Sequence, residues 1–446
     1  MTLPSKFCAR MKDMLGAEYE AFYNEMSCGA PQSGLRINAL KRGSHETVLS
    51  KLGSAEPVLW CSDGFYADKE ILSGRHPYHA AGLFYFQEPS AMAAVPALGI
   101  KRGDVRVLDL CAAPGGKATQ AAAELGGEGL LVANEIIPKR AKILSENIER
   151  MGVKNAVVTN EEPEKLLNKY PCFFDYIILD APCSGEGMFR KEPQAAVEWS
   201  VEHSSACAVR QKHIADCAVG MLAAGGRLIY STCTFAPAEN EGAAAYILEK
   251  YPYMKLLDIE IDGLSGGCGE WAGAGEELDR TKRIFPHRSR GEGHFFALFE
   301  KDGGETCAAQ EQKGVTCAAY EEFCRENLIN PPDGILCEFG EQLYLLPRGI
   351  NIDKIKVVRA GLHLGEVRKN RFIPSHALAL ALSAEDFKNT INYDAESDEI
   401  RRFLHGETLA ADIDGWCAVL ADGFPLGWAK GSQGILKNHY PKGLRI

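Results

Sequence analysis

The sequence predicts an α/β protein built on a parallel, doubly wound sheet, and two observations support this fold class. Between residues 104 and 300, short apolar runs alternate with stretches of helical periodicity. One of these runs, at 107–110, passes through a Gly-rich turn into an Ala-rich helix at 117–125. A strand, a tight turn and a helix in this order place backbone N–H groups at the carboxyl edge of the sheet, where such folds bind ligands.

Composition sets the outer limits of the interpretation. A chain of 446 residues is long enough for two to four domains, and 46% hydrophobic with 24% charged residues is typical of a soluble globular protein. The net charge of −11 argues against a protein that coats nucleic acid indiscriminately, but it leaves room for a local basic groove. Basic residues do cluster, at 280–290, at 359–371 and in the last seventeen residues.

The cysteines and the N-terminus predict a cytoplasmic protein with reduced thiols. The fifteen cysteines are an odd number and contain no C-x-x-C pair, so neither a zinc ribbon nor any other metal site is expected. Residues 1–15 mix charges with apolar residues, unlike a signal peptide, and no apolar run approaches the length of a membrane helix. We therefore expect neither a membrane nor a metal partner, and a monomer.

The first 103 residues predict a small N-terminal αβ lobe. Apolar residues at helical spacing favour helices at 7–15, 19–26 and 90–98, and short strands are expected at 35–40, 60–65 and 83–87.

Residues 104–300 predict the catalytic domain. Strands are expected at 105–110, 130–134, 155–159, 175–180 and 226–231, helices at 117–125, 138–151, 193–223 and 239–250, and a final hairpin at 255–260 and 294–300. The hairpin predicts an antiparallel edge.

The rest of the chain predicts two further modules behind a linker. Residues 301–318 are polar and aperiodic, which is typical of a linker. An αβ module is expected at 319–385, and frequent turns indicate a compact β-rich module at 390–446.

The turn at 111–117 is a candidate ligand site, although it lacks the usual nucleotide fingerprints. It contains neither G-x-G-x-x-G nor G-x-x-x-x-G-K-[ST], since Ala118 follows Lys117. An ordinary βα turn is the alternative. Glu135, at the end of the second strand, either takes a ribose hydroxyl pair or serves as a helix N-terminal charge.

Two cysteine motifs follow the fourth and fifth strands, on the same edge of the sheet as the turn. They contain Cys183, in a segment that begins at Asp180, and Cys233. A thiolate adds to an electron-poor carbon such as carbon 6 of a pyrimidine, which makes carbon 5 nucleophilic toward a methyl donor. Asp180 is the candidate that stabilises the adduct at ring nitrogen 3, a role that requires it to hold a proton or to donate through one.

Three motifs together resemble the RNA 5-methylcytosine methyltransferase family: CAAPGGK, DAPCSGEG and YSTCTFAPAENE. LRINAL at 35–40, YFQEPSAM at 85–92 and RIFPHRSRGEGHFF at 283–296 are also similar to segments of that family. The resemblance covers residues 1–300. It implies a Rossmann-like fold, S-adenosyl-L-methionine as cofactor, and RNA as substrate.

The resemblance also implies roles for individual residues. Cys233 would be the nucleophile and Cys183 would assist product release. The cofactor would contact Asp180, Glu135 and the whole turn, Cys111, Ala112, Ala113, Pro114, Gly115, Gly116 and Lys117. The third cofactor contact is Glu162 or, as the alternative, Asn160, because the usual Asp is missing after the third strand.

The C-terminal part resembles the bacterial 16S rRNA members of the family, the RsmF-like group, whose last module is a PUA-like RNA-binding barrel. The matching stretches are 359–365, 427–428 and 437–443. Expected RNA contacts are Arg36, Lys191, Arg283, His287, Lys437, His439, Tyr440 and Lys442. The substrate would be 16S rRNA or the small ribosomal subunit. Alternatives are a tRNA cytosine-5 methyltransferase, a DNA enzyme with its nucleophile in the Pro-Cys motif, and a catalytically silent rRNA-binding assembly factor.

Overall fold

A computed structural model describes residues 2–67, 71–308, 311–369 and 371–446. Its described residues form four sheets, of which the largest lies in the predicted catalytic region. The α/β fold class is confirmed. None of the helices in these ranges is long and apolar enough to cross a membrane.

The N-terminal lobe surrounds a four-stranded antiparallel sheet in the order β2-β3-β1-β4. Its predicted helices and strands are confirmed within a few residues. The elements are α1 (Ser5–Leu15), α2 (Tyr19–Cys28), β1 (Gly34–Ile37), α3 (Ser44–Leu52), β2 (Glu56–Val58), β3 (Cys61–Tyr66), α4 (Pro77–Ala80), β4 (Phe84–Phe86) and α5 (Ala94–Leu98).

The central region alternates strands and helices as predicted. Its elements are β5 (Arg106–Asp109), α6 (Gly116–Leu125), β6 (Leu130–Asn134), α7 (Pro138–Arg150), β7 (Ala156–Thr159), α8 (Pro163–Lys169), β8 (Phe174–Asp180), α9 (Pro193–Glu198), α10 (Val201–Met221), β9 (Leu222–Thr232), α11 (Glu241–Lys250), β10 (Met254–Leu257), β11 (Ser265–Gly266), β12 (Lys282–Ile284) and β13 (His294–Lys301). The predicted helix at 193–223 is divided into α9 and α10, and α8 was not predicted.

The order of the strands explains where a ligand can bind. Strands β9, β8, β5, β6 and β7 run parallel in this order, and β13 adds the expected antiparallel edge beside β9. The chain leaves β5 toward β6 on one side and returns to β8 on the other. The turn after β5 therefore lies at the point where the strand order reverses, which opens a crevice at the carboxyl edge.

The C-terminal part contains two smaller sheets. The first module comprises α12 (Ala318–Asn327), β14 (Ile335–Phe339), β15 (Gln342–Leu346), β16 (Val357–Ala360), β17 (Leu362–Arg368), β18 (Arg371–Pro374) and α13 (His376–Ala381). The second comprises β19 (Thr390–Tyr393), α14 (Asp398–His405), β20 (Leu409–Ala410), β21 (Gly415–Ala421), β22 (Phe424–Ser432) and β23 (Ile435–Asn438). Residues 309–310 of the predicted linker lie outside the described residues.

One strand of the first C-terminal module joins the central sheet, which the sequence did not predict. Val357 and Ala360 of β16 pair antiparallel with Thr159 and Val157 of β7. The second module packs on the N-terminal lobe, where the Tyr78 hydroxyl donates to an Asp422 carboxylate oxygen at 2.6 Å. Both modules are thus fixed to the first 300 residues by contacts between distant parts of the chain.

Candidate active site

The turn between β5 and α6 holds its backbone open toward the crevice. Gly115 has φ +117°, and a Cβ added there would lie 3.2 Å from a Leu144 methyl group, so only glycine fits without strain. The Asn147 amide donates to the Pro114 carbonyl at 2.9 Å, and the Ala112 N–H donates to the Asn134 carbonyl at 2.8 Å. These bonds fix the turn from outside and leave its inner face for a ligand.

Lys117 and Asp180 form an ion pair across the crevice. The Lys117 Nζ lies 2.8 Å from Asp180 Oδ2, and the Ser231 hydroxyl donates to Oδ1 at 2.8 Å. Burial opposes ionisation of Asp180, but the charge and hydrogen bond of Lys117 together with the neighbouring His294 outweigh it and lower the pKa of the carboxyl. Asp180 is therefore an ionised carboxylate. The expectation that it holds a proton is wrong, because the sequence does not reveal the lysine beside it.

His294, at the start of β13, is a site residue that the sequence analysis missed. Its Nε2 lies 3.6 Å from Asp180 Oδ1, its side chain is 3% exposed, and neither ring nitrogen has a hydrogen-bond partner among the described residues. Burial and the Lys117 charge lower the pKa of the imidazole, so His294 is neutral near pH 7. The signal was present, since His294 lies inside the segment at 283–296.

The two motif cysteines meet at the site. The sulfur atoms of Cys183 and Cys233 are 3.3 Å apart, one after β8 and the other after β9. The hydrogen bond to Cys233 and burial together raise the pKa of the Cys183 thiol. Cys183 therefore keeps its proton near pH 7, and the two sulfur atoms lie at hydrogen-bond distance. Cys233, the predicted nucleophile, thus has a protonated thiol beside it.

A buried carboxylate, Glu239, holds the loop that carries Cys183. Its two oxygens accept hydrogen bonds from the Ser184 N–H at 2.9 Å, the Ser184 hydroxyl at 2.5 Å, the Ser204 hydroxyl at 2.6 Å and the Gln211 amide at 2.9 Å. The Ser184 hydroxyl also lies 2.8 Å from that of Thr234, next to Cys233. Glu239 thus ties the two cysteine loops to each other through one carboxylate.

A second buried carboxylate, Glu186, supports the same loops. It accepts from the Trp199 indole at 2.8 Å and the Phe235 N–H at 3.1 Å, and it pairs with Arg10 at 2.6 Å. The neighbouring Gly187 N–H donates to the Cys233 carbonyl at 2.8 Å. Both acids lie in the quoted motifs, but nothing in the motifs indicates that they are structural.

The acids beyond β6 and β7 occupy different environments. Glu135 is 3% exposed and accepts from the Ile137 N–H at 2.9 Å, at the entry to α7. Glu135 therefore serves as a charge at the N-terminus of α7, which is the alternative interpretation. Its contact with a ribose stays a prediction. Asn160 is buried and donates to the Glu135 and Ile136 carbonyls at 2.7 and 2.8 Å, whereas Glu162 is exposed. Asn160 is therefore fixed beside the residues that follow β6, next to Glu135.

Arg36 is not a surface contact for RNA. It is fully buried and donates to Gln87 at 2.9 Å, to the Gly116 carbonyl at 3.2 Å and to the Thr119 hydroxyl at 2.7 Å. It fastens the N-terminal lobe to the candidate cofactor turn. The prediction of an RNA contact is therefore wrong for Arg36 in this structure.

Arg283 and His287 are also occupied within the protein. Arg283 is 1% exposed and forms two bonds to Glu241, at 2.7 and 2.5 Å, and a third to the Phe235 carbonyl at 3.2 Å. The His287 side chain is 5% exposed and lies 3.1 Å from Glu18. The prediction of RNA contact is wrong for Arg283, because its charge neutralises a buried acid of the fold. His287 is bound to Glu18, and burial lowers the pKa of its imidazole, so it offers no positive charge to RNA near pH 7.

The remaining predicted RNA contacts divide by exposure. Lys437 and Lys442 are exposed, and His439 and Lys191 are half-buried. Tyr440 is buried, with its ring 5.6 Å from that of Phe403. Tyr440 is therefore a core residue, a correction of the prediction, whereas the other four stay predictions.

One group of potential metal ligands lies away from the crevice. Oxygen, nitrogen and sulfur atoms of Glu164, His213 and Cys217 come within 4.8 Å of one another on α8 and α10. Burial raises the pKa of the Cys217 thiol to about 11, and His213 already pairs with Glu164. The expectation of no metal site stays a prediction.

Family comparisons agree with this geometry along the whole chain. Residues 96–300 match the family described as 16S rRNA methyltransferase RsmB/F, and residues 3–89 match the N-terminal domain of RsmF. Residues 322–382 and 390–446 match the RsmF first C-terminal domain and the RsmF PUA domain. A ribosomal RNA small subunit methyltransferase F from Enterobacter sp. (strain 638) is 33% identical over 99% of this chain and 95% of its own. The chain belongs to the RsmF family.

Further comparisons support the assignment to the RsmF family. A methyltransferase F from Shewanella piezotolerans is 32% identical over 92% of this chain and 90% of its own. A crystal structure of a methyltransferase homologue from Pyrococcus horikoshii is 28% identical and superposes with a TM-score of 0.59, over 67% of this chain and 95% of the other. As a member of the RsmF family, the chain is an S-adenosylmethionine-dependent rRNA methyltransferase.

The structural role of Arg283 can be tested by the stability of a variant protein. We expect Arg283→Met to lower the free energy of unfolding by about 3–5 kcal/mol, because it leaves the Glu241 carboxylate buried without a partner. The measurement is urea unfolding. The control is Arg280→Met, which breaks an exposed ion pair with Asp258 and should cost about 1 kcal/mol or less. An Arg283 variant as stable as the control would contradict the structural role.

The two candidates for the third cofactor contact can be separated by calorimetry. We expect Asn160→Ala to weaken S-adenosylmethionine binding about tenfold, since the loss of one hydrogen bond to a bound ligand costs roughly 1.5 kcal/mol. Glu162→Gln should leave the affinity unchanged because its side chain points to solvent. The opposite order of effects would reassign the contact to Glu162.

Proposed function

We propose that this chain methylates carbon 5 of a cytosine in 16S rRNA through a covalent adduct between Cys233 and carbon 6 of the base. The observation that carries the proposal is the 3.3 Å contact between Cys233 and Cys183 beside an ionised Asp180. Two thiols in contact next to a carboxylate match an addition that is followed by an elimination.

The crevice suits S-adenosylmethionine by its shape and its polar groups. The turn at 111–117 presents backbone without bulky side chains, and Asp109 contributes a fully buried carboxyl whose two oxygens have no partner among the described residues. Burial and Asp180 raise the pKa of Asp109 to about 8. We assign the methionyl end to the region of Asp109 and Asp180, the ribose to Glu135 and the adenine to Asn160. The bound cofactor supplies a methyl group on a sulfonium centre.

Cys233 begins the reaction as the nucleophile. Its thiolate adds to carbon 6, and the electron pair of the carbon 5–carbon 6 double bond then takes the methyl group at carbon 5. The target base has to leave its stack to reach the sulfur.

Asp180 recognises the base as a hydrogen-bond acceptor. An ionised carboxylate accepts from the exocyclic amine of cytosine, and uracil has an oxygen at that position. The carboxylate therefore favours cytosine over uracil. Neutral His294 and the Lys117 ammonium are the neighbouring groups able to donate a hydrogen bond to ring nitrogen 3, which replaces the role first expected of Asp180.

Cys183 assists the release of the product. A solvent water molecule takes the proton from carbon 5, and the electron pair of that carbon–hydrogen bond re-forms the carbon 5–carbon 6 double bond. The bond between carbon 6 and the Cys233 sulfur breaks, with its electron pair left on the sulfur. Negative charge develops on the Cys233 sulfur at this step, and the Cys183 thiol lies at hydrogen-bond distance to stabilise it. We further propose that the enzyme acts as a monomer in the cytoplasm, where its free thiols stay reduced.

Bisulfite sequencing tests the reaction and the substrate together. Cells that lack the gene should lose a 5-methylcytosine signal in 16S rRNA, and the wild-type gene should restore it. Cys233→Ala should not restore it, since transfer should fall at least about 1,000-fold without the nucleophile, while S-adenosylmethionine binding persists. Restoration by Cys233→Ala would disprove the mechanism, and a signal lost from tRNA instead would disprove the substrate.

The release role of Cys183 predicts a trapped intermediate. Cys183→Ala should accumulate a covalent complex of protein and RNA, because elimination slows while addition continues. A denaturing gel would show it as a band of reduced mobility. The matched controls are Cys28→Ala, an exposed cysteine remote from the motifs, and Cys183→Ala combined with Cys233→Ala. Neither control should form the band; a band in the double variant would exclude Cys233 as the attachment point.

A further inference from the structure

A basic cleft lies between the two C-terminal modules. It has a volume of about 550 Å³ and lies between the β17–β18 hairpin and strands β21, β22 and β23. The cations that line it are Arg368, Lys369, Arg371, Lys430 and Lys437, and Trp416 and His439 line it as well. We call this site the Trp416 cleft.

The charge of the Trp416 cleft is not balanced by the protein. Arg368 pairs with Glu366 at 2.9 Å and with Glu341 at 3.5 Å. The other four cations form no ion pair with any described residue, and all four are exposed. In a chain of net charge −11, such a concentration of unpaired positive charge attracts an anion.

The strand register places like charges directly opposite each other. Lys430 on β22 faces Lys437 on β23, and Arg368 faces Arg371 across the β17–β18 hairpin. Like charges in directly opposite positions destabilise a sheet. The fold therefore gains no stability from this arrangement, which indicates that it serves a ligand.

Trp416 provides a fixed aromatic surface in the cleft. Its indole is held edge-on by Trp428, with ring centroids 6.1 Å apart, and by His439, at 4.6 Å. The Lys430 ammonium lies over the ring, 5.1 Å from its centroid. Burial and the neighbouring lysines lower the pKa of His439, so it adds no charge near pH 7. The group that covers the indole is thus the Lys430 side chain. Because it forms no ion pair, a flat ligand can displace it.

We propose that the Trp416 cleft binds an unpaired segment of the substrate RNA, with one base stacked on Trp416 and the flanking phosphates on Lys430, Lys437 and Arg371. The bases of an A-form duplex are covered by their neighbours, so a stacking surface selects single-stranded or looped RNA. The proposal rests on RNA as the substrate but not on the chemistry at Cys233. It gives the enzyme a second, remote contact that selects where on the RNA it docks.

Fluorescence anisotropy of the full-length chain tests the stack. The probe is a fluorescein-labelled single-stranded 12-mer RNA, without S-adenosylmethionine, with the duplex of the same sequence as competitor. Trp416→Ala should weaken binding of the single strand about tenfold, as expected for loss of one base stack. Trp416→Phe should restore most of the affinity, because it keeps an aromatic face. Binding of the duplex should change less than twofold.

A charge variant that keeps the Trp416 ring tests the phosphate contacts. Lys430→Gln combined with Lys437→Gln should reduce the slope of log affinity against log salt by about 1.4, since each phosphate contact to a single strand contributes roughly 0.7. The matched control removes two cations of the same module outside the cleft, Arg401→Gln with Arg402→Gln on α14, which already pair with acids. The control should keep the wild-type slope.

Three results would overturn the proposal. The first is wild-type affinity for the single strand in Trp416→Ala, and the second is an equal loss for single strand and duplex. The third is displacement of the RNA by polyglutamate when the concentration of its carboxylates equals that of the RNA phosphates. Such displacement would indicate an acidic protein segment as the partner. If Trp416→Ala does not fold, the slope of the lysine variant decides. The bisulfite experiment with Cys233→Ala measures a different outcome, the methylation of 16S rRNA. The proposal for the Trp416 cleft and the proposed function therefore fail independently of each other.

Discussion

The chemistry of this protein depends on one buried carboxylate, Glu239. Two hydrogen bonds to its oxygens come from Ser184 and two from Ser204 and Gln211 on α10, so they fix the Ser184 loop to that helix. The Ser184 hydroxyl in turn contacts the hydroxyl of Thr234, in the loop of the second cysteine. The 3.3 Å distance between Cys183 and Cys233 is the result. Burial raises the pKa of Glu239 even though the hydrogen bonds to Ser184 and Ser204 oppose the shift. Burying this carboxylate is unfavourable, but both thiols lie on loops. Without the hydrogen bonds to Glu239, these loops would not hold the two thiols in contact.

The electrostatics of the crevice place the two acids, Asp180 and Asp109, in distinct protonation states. Cys183 remains a thiol because it is buried and bonded to the other sulfur. Asp180 is ionised because Lys117 lies beside it. Asp109, at the end of the neighbouring strand β5, has a raised pKa because it is buried without a partner. Pairs of like groups with opposite shifts are the arrangement that acid–base chemistry needs.

The sequence predicted the strands, the helices and the edge of the sheet because these depend on local periodicity and on motifs at strand ends. It located Cys183 and Cys233 correctly for the same reason. It did not predict that β16 joins β7, since that pairing joins residues about 200 positions apart and leaves no periodic signal. It also missed the protonation state of Asp180, which depends on a lysine that only the folded turn brings within 2.8 Å.

The arginines show why a basic cluster in the sequence cannot by itself be assigned to RNA. Arg283 and Arg359 each come from such a cluster, yet both are buried against acids, Glu241 and Glu149. Arg371 and Lys430 come from similar stretches and have no acid within reach among the described residues. A cation is available to phosphate only when the fold has not already neutralised it. The protein therefore keeps a net negative charge and still concentrates free positive charge at the Trp416 cleft.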